Sequence, residues 1–474
     1  MFYQDKSYSY DDILIVPKYS NITSRNQISL ESKLTKNITL KIPIISANMD
    51  TITEDKMAIA LAKLGGLGII HRYCSIEEQV QMVKNVKRYT NYIIEHPYVL
   101  NVNDILEEPL DKSYLVVDNA GILCGIISKR DILTNQYITK SNKVSEIMNK
   151  KVIKIAVEDS DNEEFVIRIL LDHKIEKLPI VDNNFKLKGL ITLRDILYRT
   201  KNKHIALLDD KHRLMVGAAV GVKDDYLDRT KALVEAGCDI ICVDVAHGHH
   251  ELCGNAVKEI KKIYPHLPVI AGNVCTPEGV EYLHKCGADV VKVGIGGGSI
   301  CITRVQTGCG YPQFDAVVQC AKKAKELGIT VIADGGHSGK SGNIFKAICA
   351  GACASMLGGM LAGTDETPGE IVIKNHKKMK MIRGMAGRWA NMNRKHRTGE
   401  KIDLEKMVPE GVEGYVPYKG EVKDVIQQLC GGIKSGMSYV GCNSIDELRG
   451  TEVRYVIITH SGKMESGSHD ISEI

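Results

Sequence analysis

Cys301 and Thr303 lie two residues apart, directly behind the run Gly296-Gly297-Gly298-Ser299. A thiolate is the strongest common nucleophile near neutral pH. Consecutive glycines reach backbone conformations that aim main-chain N–H groups at an anion. The segment VKVGIGGGSICITR, residues 291–304, therefore sets a covalent nucleophile beside a candidate phosphate cradle. Each half alone is a weak signal, because glycine turns often serve as tight connections and a cysteine is more often simply buried. A second glycine-rich stretch, GGHSGKSG, imitates a P-loop. It has Asp334 where that motif needs its first glycine, which excludes the nucleoside-triphosphate reading.

The elements that must position these residues are legible as short apolar runs ending in small or polar residues. They read KIPIISANMD, GLGII, MVGAAVG, DIICVDVAHG, PVIAGNV, VVKVGIGGG, TVIADGG and ASMLGGM. Helix-like segments such as DDYLDRTKALVEAGCD alternate with them, which predicts repeated βα units and a parallel sheet. Eight such strands predict a closed (β/α)8 TIM barrel, an α/β fold whose chemistry sits at the strands' C-terminal ends. Asn48, Asp244, Asn273, Cys301, Asp334 and Gly359 fall at those ends. The rhythm changes between the second and third strands, where YLVVDNAGILCGIISKRDIL and KLPIVDNNFKLKGLITLRDIL form an internal repeat. The expected organisation is a first barrel part over residues 1–95, an insert over 96–204, and the rest of the barrel, with catalytic loop and flap, over 205–474.

Composition narrows the partners. Sixty-two basic against 58 acidic residues leave a formal charge of +4 over 474 residues, too weak and unpatterned to imply nucleic-acid or membrane binding. The expected partner is a small molecule. Fourteen cysteines scattered through apolar segments, with no secretory pattern before them, suit a reducing, cytoplasmic setting. No apolar run approaches the roughly 18–20 residues of a membrane span.

The insert resembles a pair of cystathionine β-synthase (CBS) domains, whose Gly-x-Ile-[Ser/Thr]-x-x-Asp signature stands at Gly125–Asp131 and Gly189–Asp195. The resemblance implies regulatory nucleotide binding, with Asp131 and Asp195 on ribose hydroxyls. The first repeat lacks most of the helix that EEFVIRILLDHKIEKLP supplies to the second, and an insert without ligand is the alternative.

GSICITRVQTGCGYPQ, with SANMD, AGNV, ADGG, LGGMLAGTDETPGE, VPEGVEGYVPYKG and the terminal ESGSHD, resembles the IMP dehydrogenase/GMP reductase family over nearly the whole chain. The resemblance implies a TIM barrel that acts on purine nucleotides and forms a homotetramer, or an octamer through its CBS modules. Cys301 would attack purine C2. Ser299, Gly336, Gly358 and Gly359 would surround the 5′-phosphate, Asp334 would hold the ribose, and Met49, Met385 and Glu410 would contact the base. Asp244 and Asn273 would lie near the nicotinamide. Carbonyls of Gly296, Gly298 and Cys301 would hold a monovalent cation, potassium, in a loop completed near Glu465 of a neighbouring subunit. Ile382 stands where dehydrogenases carry a phosphate-binding tyrosine, and Gly359 replaces their serine.

Direction depends on the second step. A dehydrogenase must hydrolyse its covalent intermediate, which the family does with an adjacent Arg-Tyr pair on a mobile flap. The flap here, GMAGRWANMNRKHRTGEKIDLEKMVPEGVEG, contains no such pair, although Arg394 and Arg397 are present. Asn48, Tyr311 and Gly359 are further reductase-like features, while VPEGVEG, TDETPGE, the tail and the CBS pair, which shorter reductases lack, are dehydrogenase-like. The reading favours a GMP reductase using NADPH, with Thr303 and Glu370 relaying a proton. The alternatives are an IMP dehydrogenase using NAD and a non-catalytic nucleotide sensor.

Overall fold

Eight short strands close into a parallel barrel, and their side chains alternate between its interior and the surrounding helices. The computed structural model describes residues 4, 6–89, 93–94, 97–106, 112–134, 143–160, 162–194, 196–197, 205–392 and 408–467. In chain order the barrel strands are β1 (Ile44–Ser46), β2 (Leu67–Ile70), β3 (Gly217–Val220), β4 (Ile240–Asp244), β5 (Val269–Val274), β6 (Val290–Val293), β7 (Thr330–Asp334) and β8 (Ala354–Leu357). β8 pairs with β1 and β2 with β3, so no strand edge is left open. The (β/α)8 expectation holds.

Period-two alternation explains the strand composition. Ile45, Leu67, Ile69, Ala219, Ile240, Cys242, Ile270, Val290, Ile332, Ala354 and Met356 fill the interior. Val291, Val293, Ile241, Val243, Val269, Ala271, Val331 and Ala333 face outward into the helix-covered core. Strands buried on both faces must read as continuous apolar runs, as these do.

The helices between strands are α1 (Asp55–Lys63), α2 (Ile76–Tyr89), α3 (Tyr226–Glu235), α4 (Glu251–Ile263), α5 (Pro277–Lys285), α6 (Thr303–Thr307), α7 (Gln313–Leu327) and α8 (Ser341–Cys349). α5 shows how sequence sets a start: Thr276 caps it by accepting from the Gly279 N–H, and Pro277 fills a first-turn position. After β8 a three-stranded sheet of β9 (Val372–Lys374), β10 (Lys377–Arg383) and β11 (Glu413–Pro417) precedes α9 (Val422–Val440). The stripe Val422, Ile426, Leu429, Ile433, Met437 and Val440 buries α9 in the outer core, and Gly441 ends it at φ +71°.

The chain divides into two compact units, residues 1–89 with 205–474, and residues 90–204. The second unit repeats itself. Val99–Asn101 runs parallel to Tyr114–Val117, which forms a hairpin with Leu123–Ile127. Ile155–Ala156, Lys177–Val181 and Leu187–Thr192 repeat that arrangement. Each hairpin has a register shift at the same place and turns on an aspartate, Asp118 or Asp182, whose carboxylate accepts from the N–H groups two and four residues on. Asp131 closes a capping box with Ser128 at the start of Lys129–Thr134. Asp195, and residues 107–111 preceding the first repeat's hairpin, lie outside the described residues.

Among the described residues no helix is long and apolar enough to cross a membrane. All 14 cysteines are free thiols.

Candidate active site

The C-terminal mouth of the barrel holds a layer of polar side chains on the interior face. Lys292, inward-facing on β6, is 2% exposed. Its Nζ donates to Asp244 Oδ1 at 2.7 Å and Asp334 Oδ2 at 3.0 Å. Asn48 Nδ2 donates to Asp244 Oδ2 at 2.8 Å, and Asn273 Nδ2 donates to Asp334 Oδ2 at 2.9 Å and to the Gly294 carbonyl at 2.7 Å. Burial pushes the Asp244 carboxyl up, but Lys292, with Arg72 and Asn48, outweighs it and holds the group below the usual carboxylate range. Lys292 is the mirror case: burial favours its neutral form, yet Asp244 and Asp334 raise it above an ordinary lysine. The ammonium therefore stays charged.

The loop after β6 carries Cys301, half-buried, with Sγ 3.2 Å from Thr303 Oγ1. Backbone bonds strap this loop to the C-terminal end of the flap sequence: Ile302 N–H donates to the Glu410 carbonyl at 2.9 Å and Val412 N–H to the Ile300 carbonyl at 2.9 Å. Glu410 N–H in turn donates to the Ala386 carbonyl at 3.1 Å. Arg304 steadies the far side by donating to the Ile295 carbonyl at 3.0 Å and to the Tyr311 carbonyl.

The candidate phosphate residues converge here. Gly335 and Gly336 hold φ values of +80° and +81°, which only glycine adopts without strain, and Gly336 N–H donates to the Gly297 carbonyl at 2.9 Å. A side chain at Gly359 would start 2.7 Å from Ser299 Oγ, so the glycine leaves room for that hydroxyl. Ile382 offers no donor and is buried in the outer core. Of the residues expected to contact the base, Met385 receives the Asp50 N–H at its Sδ, 3.4 Å away, and Met49 Sδ lies 3.0 Å from where a Gly358 Cβ would be.

Other expected residues stand apart. Glu370 is exposed in the connection after β8, and Thr303 makes no hydrogen bond to it. Glu465 is exposed at the end of the short helix His460–Glu465. Arg394 and Arg397 lie outside the described residues.

Sequence reasoning missed four groups that hold the site. Lys292 is the first. Arg383 donates from Nε at 2.9 Å and Nη2 at 2.8 Å to Asp50 Oδ2, tying the Met49 loop to the Met385 loop. Lys419 Nζ donates to the Met360 carbonyl at 2.8 Å and the Gly359 carbonyl at 3.3 Å, bracing the turn after β8. His337 is buried against Tyr10 and shares a 3.0 Å hydrogen bond with Ser355 Oγ. Lys292 had a readable signal, a lone charge inside the valine run VVKV.

The donor chemistry fits the expected ligands. Asn273 Oδ1 is buried without a partner among the described residues, an acceptor suited to a carboxamide N–H such as that of nicotinamide. Main-chain carbonyls of Gly296, Gly298 and Cys301 are hard oxygen donors of the kind a monovalent cation takes, and the Gly298 oxygen so far accepts from Cys301 N–H at 3.1 Å.

A profile of the IMP dehydrogenase / GMP reductase domain matches residues 7–469. Inosine-5'-monophosphate dehydrogenase of Nitrosopumilus maritimus is 45% identical over 478 residues, 98% of each chain. GMP reductase of Leishmania donovani is 42% identical over 486 residues, 98% of this chain and 97% of that one. Among solved structures, a cysteine-to-alanine variant of GMP reductase from Trypanosoma brucei, in complex with guanosine 5'-monophosphate, superposes with a TM-score of 0.92 at 42% identity, covering 99% of both chains. The chain belongs to the IMP dehydrogenase/GMP reductase family, whose enzymes use nicotinamide cofactors.

Proposed function

We propose that the chain is a GMP reductase, converting GMP to IMP and ammonia with NADPH. The observation that carries this is the flap sequence, residues 384–414, which holds no adjacent Arg-Tyr pair to activate water. Reduction needs no such pair, because the covalent intermediate is resolved by hydride and not by hydrolysis.

In this reading the Cys301 thiolate adds to purine C2 and the amine leaves as ammonia, taking a proton. Thr303, whose hydroxyl lies 3.2 Å from the sulfur, is the group available to pass that proton. An uncharged hydroxyl is a poor acid or base alone, so Glu370 would have to close onto it from its exposed loop. NADPH, when bound, would be the hydride source for C2, and Cys301 would leave as the thiolate when the C–S bond breaks and IMP is released. Asp334 holds the ribose hydroxyls. Ser299 and the main chain at Gly336, Gly358 and Gly359 hold the phosphate, while Met49, Met385 and Glu410 line the base. Asp244 and Asn273 orient the nicotinamide. A homotetramer would bring Glu465 of a neighbouring copy to the cation loop at Gly296, Gly298 and Cys301. In the inserted unit Asp131 and Asp195 would take a regulatory purine nucleotide.

The second reading, IMP oxidation with NAD, is favoured by the 45% identity to dehydrogenases over almost the full length. Following nicotinamide absorbance with GMP and NADPH, or with IMP and NAD, separates the two. Steady turnover of the first mixture alone is expected. An Arg394→Ala/Arg397→Ala double variant should keep the GMP-dependent rate at saturation. A burst of NADH from IMP and NAD, followed by little steady turnover, would mean that one of these arginines activates water and would overturn the assignment.

A further inference from the structure

A buried lysine bridges two aspartates at each end of the barrel, with Arg213 joining one aspartate at the end where strands begin. At the end where strands begin, Lys87 Nζ donates to Asp239 Oδ2 at 2.6 Å and Asp209 Oδ2 at 3.0 Å. At the end where they finish, Lys292 spans Asp244 and Asp334. In this architecture the first face serves stability and the second carries chemistry.

The Lys292 cluster has little slack. Asn48 holds the remaining oxygen of Asp244, and Asn273 shares the Asp334 oxygen that Lys292 binds. Gly272, the register partner of Lys292 on β5, has no side chain, and one built there would start 2.6 Å from Lys292 Cβ. The lysine stem therefore fills the space beside β5 and arrives at both carboxylates from a fixed direction. A displacement of either carboxylate must move the ammonium and, through it, the other.

We propose that Lys292 is a positioning residue that couples the nucleotide half of the site, through Asp334, to the nicotinamide half, through Asp244. Ribose hydroxyls on Asp334 set where the ammonium sits and hence how Asp244 is presented. The effect is reciprocal, as any binding linkage must be. A neutral side chain at position 292 leaves two partly buried carboxylates facing each other without their cation and severs the connection. This rests on the roles given above to Asp334 and Asp244.

The test is calorimetric titration of the full chain with GMP, with and without saturating NADP+, a pair between which no hydride can pass. In the native protein NADP+ should change the GMP dissociation constant by about fivefold or more, the usual range for coupled sites. Lys292→Met should abolish that dependence and weaken GMP alone by about tenfold. Should this variant not fold, Lys292→Met/Asp244→Asn decides, since its cluster keeps the formal charge of the native trio. It should bind GMP about tenfold more weakly than Asp244→Asn does. Lys87→Met is the structural comparison, expected to lower the thermal midpoint while leaving the coupling intact. Coupling retained in Lys292→Met, equal GMP affinity in the double variant and Asp244→Asn, or no coupling in the native protein would each overturn the proposal. If Asp334→Asn leaves GMP affinity unchanged, the functional reading of Asp334 fails first, and the coupling role falls with it.

Discussion

His337 gives a stability prediction whose sign and size follow from its surroundings. It follows Gly336 in the turn after β7, stacks on Tyr10 with ring centroids 5.6 Å apart, and meets Ser355 Oγ at 3.0 Å. Burial pushes the imidazole down from 6.5 to about 4, against a smaller upward pull from Asp334. The folded protein thus holds His337 neutral, while the unfolded chain takes up a proton as pH falls below 6.5. The associated stability is fully present above that value and is lost between about 6.5 and 4. Each pH unit in that window costs about 1.4 kcal/mol, so at pH 5 the loss is about 2 kcal/mol.

His337→Gln removes the titration and keeps an amide that can still bond Ser355. Urea unfolding of the barrel unit, followed at fixed protein concentration by emission of Trp389, the only tryptophan, should be run at pH 7 and pH 5 for both proteins. The native protein should lose about 2 kcal/mol more than the variant on acidification. Parallel losses would refute the reasoning, because they would mean that the imidazole is protonated equally in both states.

Three further outcomes are expected. Cys301→Ala should abolish hydride transfer while GMP affinity stays within about threefold, since the proposed function gives the phosphate and ribose contacts to other residues; substantial turnover would remove the covalent mechanism. Glu370→Gln should lower kcat by about 100-fold, the usual scale of a lost proton-transfer group, with GMP binding nearly unchanged; equal losses in both would make Glu370 an anchor for its loop. Replacing residues 90–204 by a short linker should leave an active barrel whose rate no longer responds to purine nucleotides, and loss of all activity would make the insert structural.

The barrel was legible because its strands are buried on both faces and end at chemistry-bearing residues, so apolar runs and active-site positions mark each other. The insert was legible as a repeat, and the turns at Asp118 and Asp182 show why: both copies spend the same residue type on the same turn. Less legible were contacts set by distance in the chain. Ile13–Ile15 pairs with Tyr455–Ile457 across almost the full sequence, and β10, written KKMKMIR, is too charged for its pattern to announce a strand. The loop motifs pointed to Cys301, Thr303 and Ser299, but not to what steadies them. Lys292 stood out as a charge among valines, yet its partners lie 48 and 42 residues away, and only closure of the barrel brings the three together.

The buried polar atoms of the barrel unit that lack a partner among the described residues include the Ser7 and Tyr10 hydroxyls and three amide or carboxylate oxygens. Asp50 Oδ1, Asn273 Oδ1 and Gln313 Oε1 are buried without partners among the described residues. Each belongs to a side chain whose other polar atoms are engaged: Asp50 by Arg383, Asn273 by Asp334 and Gly294, and Gln313 by the carbonyls of Val293 and Asp334. A buried acceptor left unpaired costs about 1–3 kcal/mol. Such a cost is kept where function requires it. All three sit in or beside loops at the C-terminal mouth, whereas the Lys87 cluster at the opposite end binds both its carboxylates and contributes none. The end of the barrel built for stability is closed by the chain itself. The end that carries Cys301 leaves these three acceptors unpaired, which suits the proposed completion of the site by N–H and O–H groups of a nucleotide and its cofactor.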